Sequence, residues 1–525
     1  MDEESEVRSR QYRKSSKSTL VSKTIRSSDG DTRALAKHGK RQQLNRNFGI
    51  ISAIAFSSII LTSWEAIAGT LGAGFLNGGP VSLIYGFFLS WTGTLALCLS
   101  IAEMASIAPI SSAQYHFAAM LTPSGASKLL SWLSGWVTVF AWQSNIASVG
   151  SLTTVQIQAL VVLNYESYVY ERWHGSMLFW AVVIVSICVN VFAIKILPHL
   201  ETIAGVLHVC LFFVFLVPFI YLSPHPTATA VFTDFENNSG WSNNVVSWCI
   251  GLLTVTYPFI GFEGVCHLSE EIKDAPMTVP RSMVLSFVIN GVLAFAFLLG
   301  LLFGLPDIEN ALNSPTKSPI VAIMYQTFQS KIAATAVVGL LVLVSFCVLM
   351  GMVASTSRLT WAFARDNGLP FSRTIAYVHP RYKIPVNAIL LNALIAMLID
   401  LINIASSTAF SALISLTTVS LYASYMLPIA IMIQRRLRND KPDFGPYTLG
   451  RYGLLVNVVA ILWGTFAVIF EVFPTEMPVT AANMNYASVV FGSAVMFSVI
   501  AWFLYGRKTF QGPVNELDEG SVAFI

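Results

Sequence analysis

Two glutamates, Glu65 and Glu263, stand where an apolar chain has least reason to place a charge. Glu65 belongs to Thr62-Ser63-Trp64-Glu65-Ala66-Ile67-Ala68-Gly69-Thr70-Leu71-Gly72-Ala73-Gly74, and Glu263 to Tyr257-Pro258-Phe259-Ile260-Gly261-Phe262-Glu263-Gly264. Each string joins an acid to aromatic side chains and helix breakers. Glycine weakens a helix and proline removes a backbone donor, so the spacing predicts local unwinding at both places, unless these are ordinary packing kinks. A carboxylate at the centre of a bilayer costs about 3 kcal/mol on insertion scales. Each acid must therefore face a cavity, pair with a cation or carry a proton. Glu65 is expected where a second half-helix begins, and the free N–H groups there attract anions. Three roles stay open for it: it takes a proton while an anionic group binds, it binds a cationic head, or it turns away and locks the bundle by hydrogen bonds. Aromatic side chains cluster at the same depth: Trp64, Phe259 and Phe262 at the breaks, Trp142 with Gln143 in Trp142-Gln143-Ser144-Asn145, and Tyr422 with Tyr425. Aromatic faces attract ammonium groups, although each of these rings could equally be packing.

The elements that hold these residues follow from composition. Of 525 residues, 54% are hydrophobic and 11% charged. A water-soluble chain carries about a quarter charged residues, so much of this surface must face lipid. The apolar residues fall in twelve runs, each long enough to cross a bilayer as a helix. They are expected near 48–77, 81–107, 128–162, 175–196, 198–222, 245–270, 283–304, 332–364, 385–404, 408–434, 453–473 and 487–505. The organisation predicted is a disordered cytoplasmic tail over 1–47, a ten-helix core over 48–434, two further helices over 435–505 and a cytoplasmic tail over 506–525. The net charge of +3 says little, but its distribution does. With the first residues placed in the cytoplasm, all of the 31 Lys and Arg fall inside except Arg172, Lys317 and Lys331. This is the asymmetry of the positive-inside rule, and it puts both termini in the cytoplasm.

Residues 1–47 lack an apolar signal-peptide core and are rich in Ser, Lys and Arg; they read as a solvated topology determinant or as a regulatory tail. Asn237-Asn238-Ser239 lies in a loop predicted to be external and is a glycosylation acceptor pattern. The six cysteines lie inside apolar segments and read as packing residues. No catalytic grouping, metal-ligand spacing or phosphate-binding loop appears, so neither an enzyme, a cofactor nor a nucleic-acid partner is expected. Glu270 and Glu271 end the sixth run opposite the basic stretch from Arg358 through Arg365 to Arg373. They are expected to form a gating ion-pair network, or else to be solvated loop charges.

Further strings extend the pattern. They include Asn77-Gly78-Gly79-Pro80, Glu103-Met104-Ala105-Ser106 with Pro109 and Gln114-Tyr115, Gly261-Phe262-Glu263 with His267 and Glu270-Glu271, and Trp361-Ala362-Phe363-Ala364-Arg365-Asp366 with Gly368-Leu369-Pro370. In this order and topology the chain resembles the fungal amino acid/choline transporter family, choline and GABA permeases of the amino acid–polyamine–organocation superfamily. The resemblance implies an all-α membrane protein with twelve transmembrane helices, a LeuT-like 5+5 inverted repeat and two C-terminal helices. It implies alternating-access uptake of a small amine or amino acid, with protons, across the plasma membrane. By position, the implied contacts are Ser63, Trp64, Glu65 and Gly69 from the first break and Phe259, Gly261, Phe262 and Glu263 from the sixth run. Trp64-Glu65 departs from the glycine-rich first break of many amino-acid permeases, which puts a simple α-amino acid in doubt. A carrier of a specialised nitrogenous metabolite made by the same cell, or a non-transporting permease-like nutrient receptor, are the other readings.

Overall fold

The computed structural model describes residues 30–223, 226–304, 310–311, 314–481 and 483–516. Twelve of its helices are long and apolar enough to cross a membrane: Ile50–Leu76, Gly79–Ile107, Gly125–Asn164, Arg172–Phe192, Leu197–Leu222, Asn244–Glu271, Ala275–Gly304, Lys331–Arg365, Val386–Ala405, Leu416–Leu437, Gly450–Glu471 and Ala487–Thr509. They are numbered here as spans 1 to 12. Continuous apolar runs of this length satisfy every backbone group inside the helix, which is what a bilayer interior demands. The architecture is an all-α membrane fold with a ten-helix LeuT-like core. Span 11 packs on spans 2 and 10, and span 12 on spans 3 and 10.

Two departures from the sequence expectation have clear causes. Span 7 starts at Ala275 rather than near 283, and so contains both Pro276 and Pro280. Pro276 falls in the first turn, where an absent N–H costs no helical bond. Asp31 supplies acceptors at that terminus, taking hydrogen bonds from Asp274 N at 3.0 Å and Ala275 N at 3.2 Å. The second departure is the N-terminal tail. Residues 1–29 lie outside the described residues, but residues 30–47 are packed chain, with a short helix over 30–37 and with Leu35, Lys40 and Leu44 buried. The basic side chains there find partners on the bundle, chiefly Asp366 for Lys40 and the carbonyl of Ile272 for Arg46. At the other end of the chain, Phe510 is buried against the same face. We call this the terminal face and its opposite the far face.

Spans 1 and 6 are interrupted, five apart. Span 1 is two helices, Ile50–Leu61 and Ser63–Leu76, separated by Thr62 in the left-handed region (φ 35°, ψ 48°). The break precedes Glu65 and does not use Gly69, Gly72 or Gly74, which lie within the second helix. Span 6 passes from α-helix into a 3-10 turn at Tyr257–Phe259. It then runs through extended Ile260 and left-handed Gly261 (φ 78°) into a second 3-10 segment, Phe262–Glu271. On the far face, Asn77–Gly78 and Glu236–Asn237 form a two-residue antiparallel pair. Asn237 Nδ2 donates to Trp241 O at 2.8 Å and to Asn244 Oδ1 at 3.1 Å. Both amide hydrogens of the expected glycan acceptor are thus engaged, and Ser239 of the same triplet is buried.

Candidate functional site

The two breaks are tied directly to each other. Ser63 Oγ donates to Pro258 O at 2.8 Å across them. Asn290 of span 7 bridges the first break: its Oδ1 accepts from Ser63 N at 3.2 Å, and its Nδ2 donates to Ser58 O at 3.2 Å. An amide side chain thereby replaces part of the backbone pairing lost at Thr62, and one of the leading N–H groups of the second half-helix is satisfied. The second break is held from the opposite side. Gly261 N donates to the Tyr425 hydroxyl at 3.2 Å, and that hydroxyl donates to Glu263 Oε2 at 2.5 Å. Glu263 Oε1 accepts from Trp142 Nε1 at 3.1 Å and Gln114 Nε2 at 3.2 Å. Glu263 is wholly buried with both oxygens occupied, so it braces spans 3, 6 and 10 together. The left-handed Gly261 brings backbone close to Trp142 and Asn145, whose nearest atoms lie 3.9 and 3.6 Å from where a Cβ would stand.

Glu65 is arranged differently. Its Oε1 lies 2.6 Å from His208 Nδ1 of span 5, while Oε2 is buried with no partner among the described residues. The residue lines a cavity of about 60 Å³ between the breaks, shared with Thr62, Asn145, Tyr257, Ile260 and Met352 among others. The carboxylate therefore both ties two helices and offers an oxygen at the cavity wall. An unpaired buried carboxylate oxygen is costly unless a proton or a cation reaches it.

Of the residues expected from the sequence to contact solute, Glu65 alone belongs to the wall of this cavity. Ser63, Gly261 and Glu263 build the breaks around it, as described. Gly69 is exposed one turn further along, with Leu152 Cδ2 3.8 Å from an added Cβ. Trp64, about 100° around the helix from Glu65, packs between Phe215 and Phe297, both 5.2 Å distant by ring centroid, and stacks on His208 at 6.0 Å. Phe259 packs on Phe87 and Phe287, and Phe262 on Phe287 and Tyr425. The Tyr422 hydroxyl pairs with Thr94 Oγ1 at 2.9 Å, away from the cavity. Gln143 donates to Asn392 and lines a separate apolar cavity of about 490 Å³. Asn145, Val149, Leu152 and Gln156 on span 3 reach the central cavity instead. Their 3–4 residue spacing marks one helix face and was the available signal for them. His208 also carried a signal, as an ionisable side chain inside an apolar span.

Towards the far face lies a second cavity of about 230 Å³, lined by Thr70, Ser148, Ser151, Leu253, Thr418 and Glu471 among others. Leu152 and Tyr257 border both cavities and form the partition between them. Tyr257 Oη is 2.7 Å from Ser148 Oγ.

At the terminal face the expected acid–arginine pairs are present and buried. Arg365 contacts Glu270 through Nη2–Oε1 at 2.9 Å and Nη1–Oε2 at 3.0 Å, and Arg358 Nε donates to Glu271 Oε1 at 2.7 Å. Residues 39–40 and 514–516 join this cluster. Lys40 pairs with Asp366, which also accepts from Tyr115 Oη at 2.9 Å and from Val514 N at 3.0 Å. Arg365 Nε lies 3.2 Å from Glu516 Oε1, and Glu516 N donates to Gly39 O at 2.7 Å.

A bundle with two helices opened at mid-depth, a cavity between them and a charged plug on one side has the geometry of a carrier. The family model described as amino acid permease matches residues 48–495. The chain belongs to the amino acid permease family. Among relatives of this permease, a Macrophomina phaseolina protein named as an amino acid/polyamine transporter is 34% identical over 83% of the chain and 96% of its own length. The Arabidopsis thaliana amino-acid permease BAT1 is 30% identical over 92% of the chain and 96% of its own. The Saccharomyces cerevisiae choline transporter is 27% identical over 92% and 85%. The permease is thus similar along nearly its full length to proteins named for amino acids, polyamines and choline.

Proposed function

We propose that this permease moves a small organic amine or amino acid across the plasma membrane by alternating access, coupled to protons, with the terminal face in the cytoplasm. The reading rests on one observation above the rest: Glu65 presents a buried, unpartnered Oε2 at a cavity between two interrupted helices, while its other oxygen engages His208. With the carboxylate ionised and the imidazole neutral, the pair carries one negative charge and attracts an ammonium group. Adding one proton makes the pair neutral and weakens that attraction. Proton and solute are thereby linked at one site. Glu263 keeps the second break in shape, and the Glu270–Arg365 and Glu271–Arg358 pairs close the cytoplasmic side until solute exchange opens them. The distribution of Lys and Arg supports the orientation, and the names of the relatives support the solute class.

The test is uptake of labelled choline, GABA and several amino acids into a permease-deficient cell, across pH. Glu65→Gln removes the charge and keeps the shape; uptake is expected to fall about 100-fold, the scale of about 3 kcal/mol for a charge-assisted hydrogen bond to the solute's ammonium group. E65Q uptake equal to wild type, with the same pH profile, would eliminate Glu65 as the coupling site.

A further inference from the structure

We propose that Glu471 and the cavity beside it form a second solute site, for an organic ammonium group, on the far side of the Leu152–Tyr257 partition. The proposal deepens the carrier reading and rests on it. Glu471 is the last residue of span 11, outside the ten-helix core, and is 7% exposed. Neither of its carboxylate oxygens has a hydrogen-bond partner among the described residues. Its position compounds the cost. A helix C-terminus carries the negative end of the helix dipole, so an acid there is disfavoured even before burial. The backbone around it is nevertheless pinned: Asn485 Nδ2 donates to Glu471 O at 2.7 Å and to Phe473 O at 3.2 Å. The chain thus spends a fixed turn on holding an acid in an unfavourable place, at the wall of a 230 Å³ cavity. A cation in that cavity removes both penalties.

The lining indicates which cation. One carboxylate stands among hydroxyls of Thr70, Ser148, Ser151, Thr418 and Tyr257, with Leu253 as an apolar surface. A divalent metal takes six to eight oxygens at a Ca²⁺ site and usually several carboxylates, which this wall does not supply. A cavity of this size, with one charge, an aromatic ring, hydroxyls and an aliphatic patch, suits an amine of several heavy atoms. The partition then separates two acids in series, Glu471 first and Glu65 beyond it. A cationic solute is concentrated at the outer acid before Tyr257 swings aside.

Two readouts test this on the full-length protein. In cells, Glu471→Gln is expected to raise the half-saturation concentration for labelled choline about tenfold, with any fall in maximal rate the lesser effect, and Glu471→Asp is expected to lie closer to wild type. An unchanged half-saturation concentration, or a loss confined to maximal rate, overturns the site. The second readout needs no transport. Ser151→Cys, in a background with the native cysteines replaced, is labelled with thiosulfonate reagents bearing either a trimethylammonium or a sulfonate group. The cation-to-anion rate ratio is expected to drop about tenfold when E471Q is added. A ratio indifferent to E471Q overturns the proposal, as does a preference that millimolar sodium abolishes and choline does not. A preserved labelling preference with no wild-type uptake of any amine would keep the site and remove the carrier reading.

Discussion

On the terminal face, Arg365 grips Glu270 at two points and Arg358 grips Glu271 at one, and residues from both chain ends add Lys40 to Asp366 and Glu516 to Arg365. On the far face, the central cavity is shut by Leu152 and Tyr257, with a single hydroxyl contact between Tyr257 and Ser148. Buried glutamates are handled in two ways, and not by face alone: Glu201, near the terminal end of span 5, is wholly buried with neither carboxylate oxygen partnered among the described residues. Glu270 and Glu271 are matched with guanidinium groups, while Glu65 Oε2 and both oxygens of Glu471 are unmatched. In the proposed carrier the matched acids hold the terminal face closed, because opening it exposes several charges at once, and Glu65 and Glu471 take a positive partner that enters from outside the fold. On that reading the terminal face is the thick barrier and the far face the thin one.

The largest effect should come from breaking the thick barrier. Arg365→Ala strands Glu270 in a buried setting, and losing one partner of a buried pair costs about 3–5 kcal/mol. The expected result is a marked fall in thermal midpoint of the purified protein, with the double swap E270R/R365E recovering part of it. An R365A protein that melts and transports as wild type does would remove the lock. The thin barrier predicts less. Tyr257→Phe deletes one hydroxyl contact, worth about 1 kcal/mol, or about fivefold in the open fraction of that partition. Labelling of S345C, in the wall of the central cavity, by a reagent added at the far face should accelerate by that factor. No acceleration would mean that Leu152 and the backbone, not the hydroxyl pair, seal the path.

How much of this was legible beforehand divides along the same physical line. Spans, breaks and terminal-face charges leave one-dimensional traces: apolar length, Gly and Pro, and the placement of Lys and Arg. Facing does not. Trp64 and Glu65 are neighbours, yet one is wedged among Phe215 and Phe297 while the other reaches the cavity. The glycines after Glu65 suggested a break there, and Thr62, a residue with no such reputation, adopts the left-handed turn instead. Partners distant in sequence were also hidden. His208 is 143 residues from Glu65, and Asn290 is 227 from Ser63. Lys40 and Asp366 are 326 apart, so residues 30–47 of the tail that composition marked as unstructured are held by a contact that composition cannot reveal. Glu471 was not singled out from the sequence at all; its burial without a partner among the described residues makes it a candidate.

The smallest predicted effect sharpens the comparison because it belongs to one face alone. His116 lies between spans 2 and 3, edge-on to the ring of His38 at 5.6 Å, with Lys40 and Arg365 nearby. Burial, then the positive charges of His38, Lys40 and Arg365, holds its pKa well below the usual histidine value. Burial also lowers His38, against an opposing hydrogen bond to Ile107 O at 2.9 Å and with Lys37 adding to the depression. Above the unfolded value of about 6.5, folded and unfolded chains both keep these rings neutral, and pH has no leverage through them. Below it the unfolded chain gains protons that the folded chain refuses, so stability falls with pH until the folded values are reached. At pH 6 the loss for a ring held neutral is just under ~1 kcal/mol. Thermal midpoints should therefore decline between pH 7 and pH 6, and His116→Gln should flatten part of that slope. Labelling of S151C at the far face should not follow the same titration. A slope that H116Q leaves intact would take this histidine out of the clasp and leave the ion pairs to hold the terminal face without it.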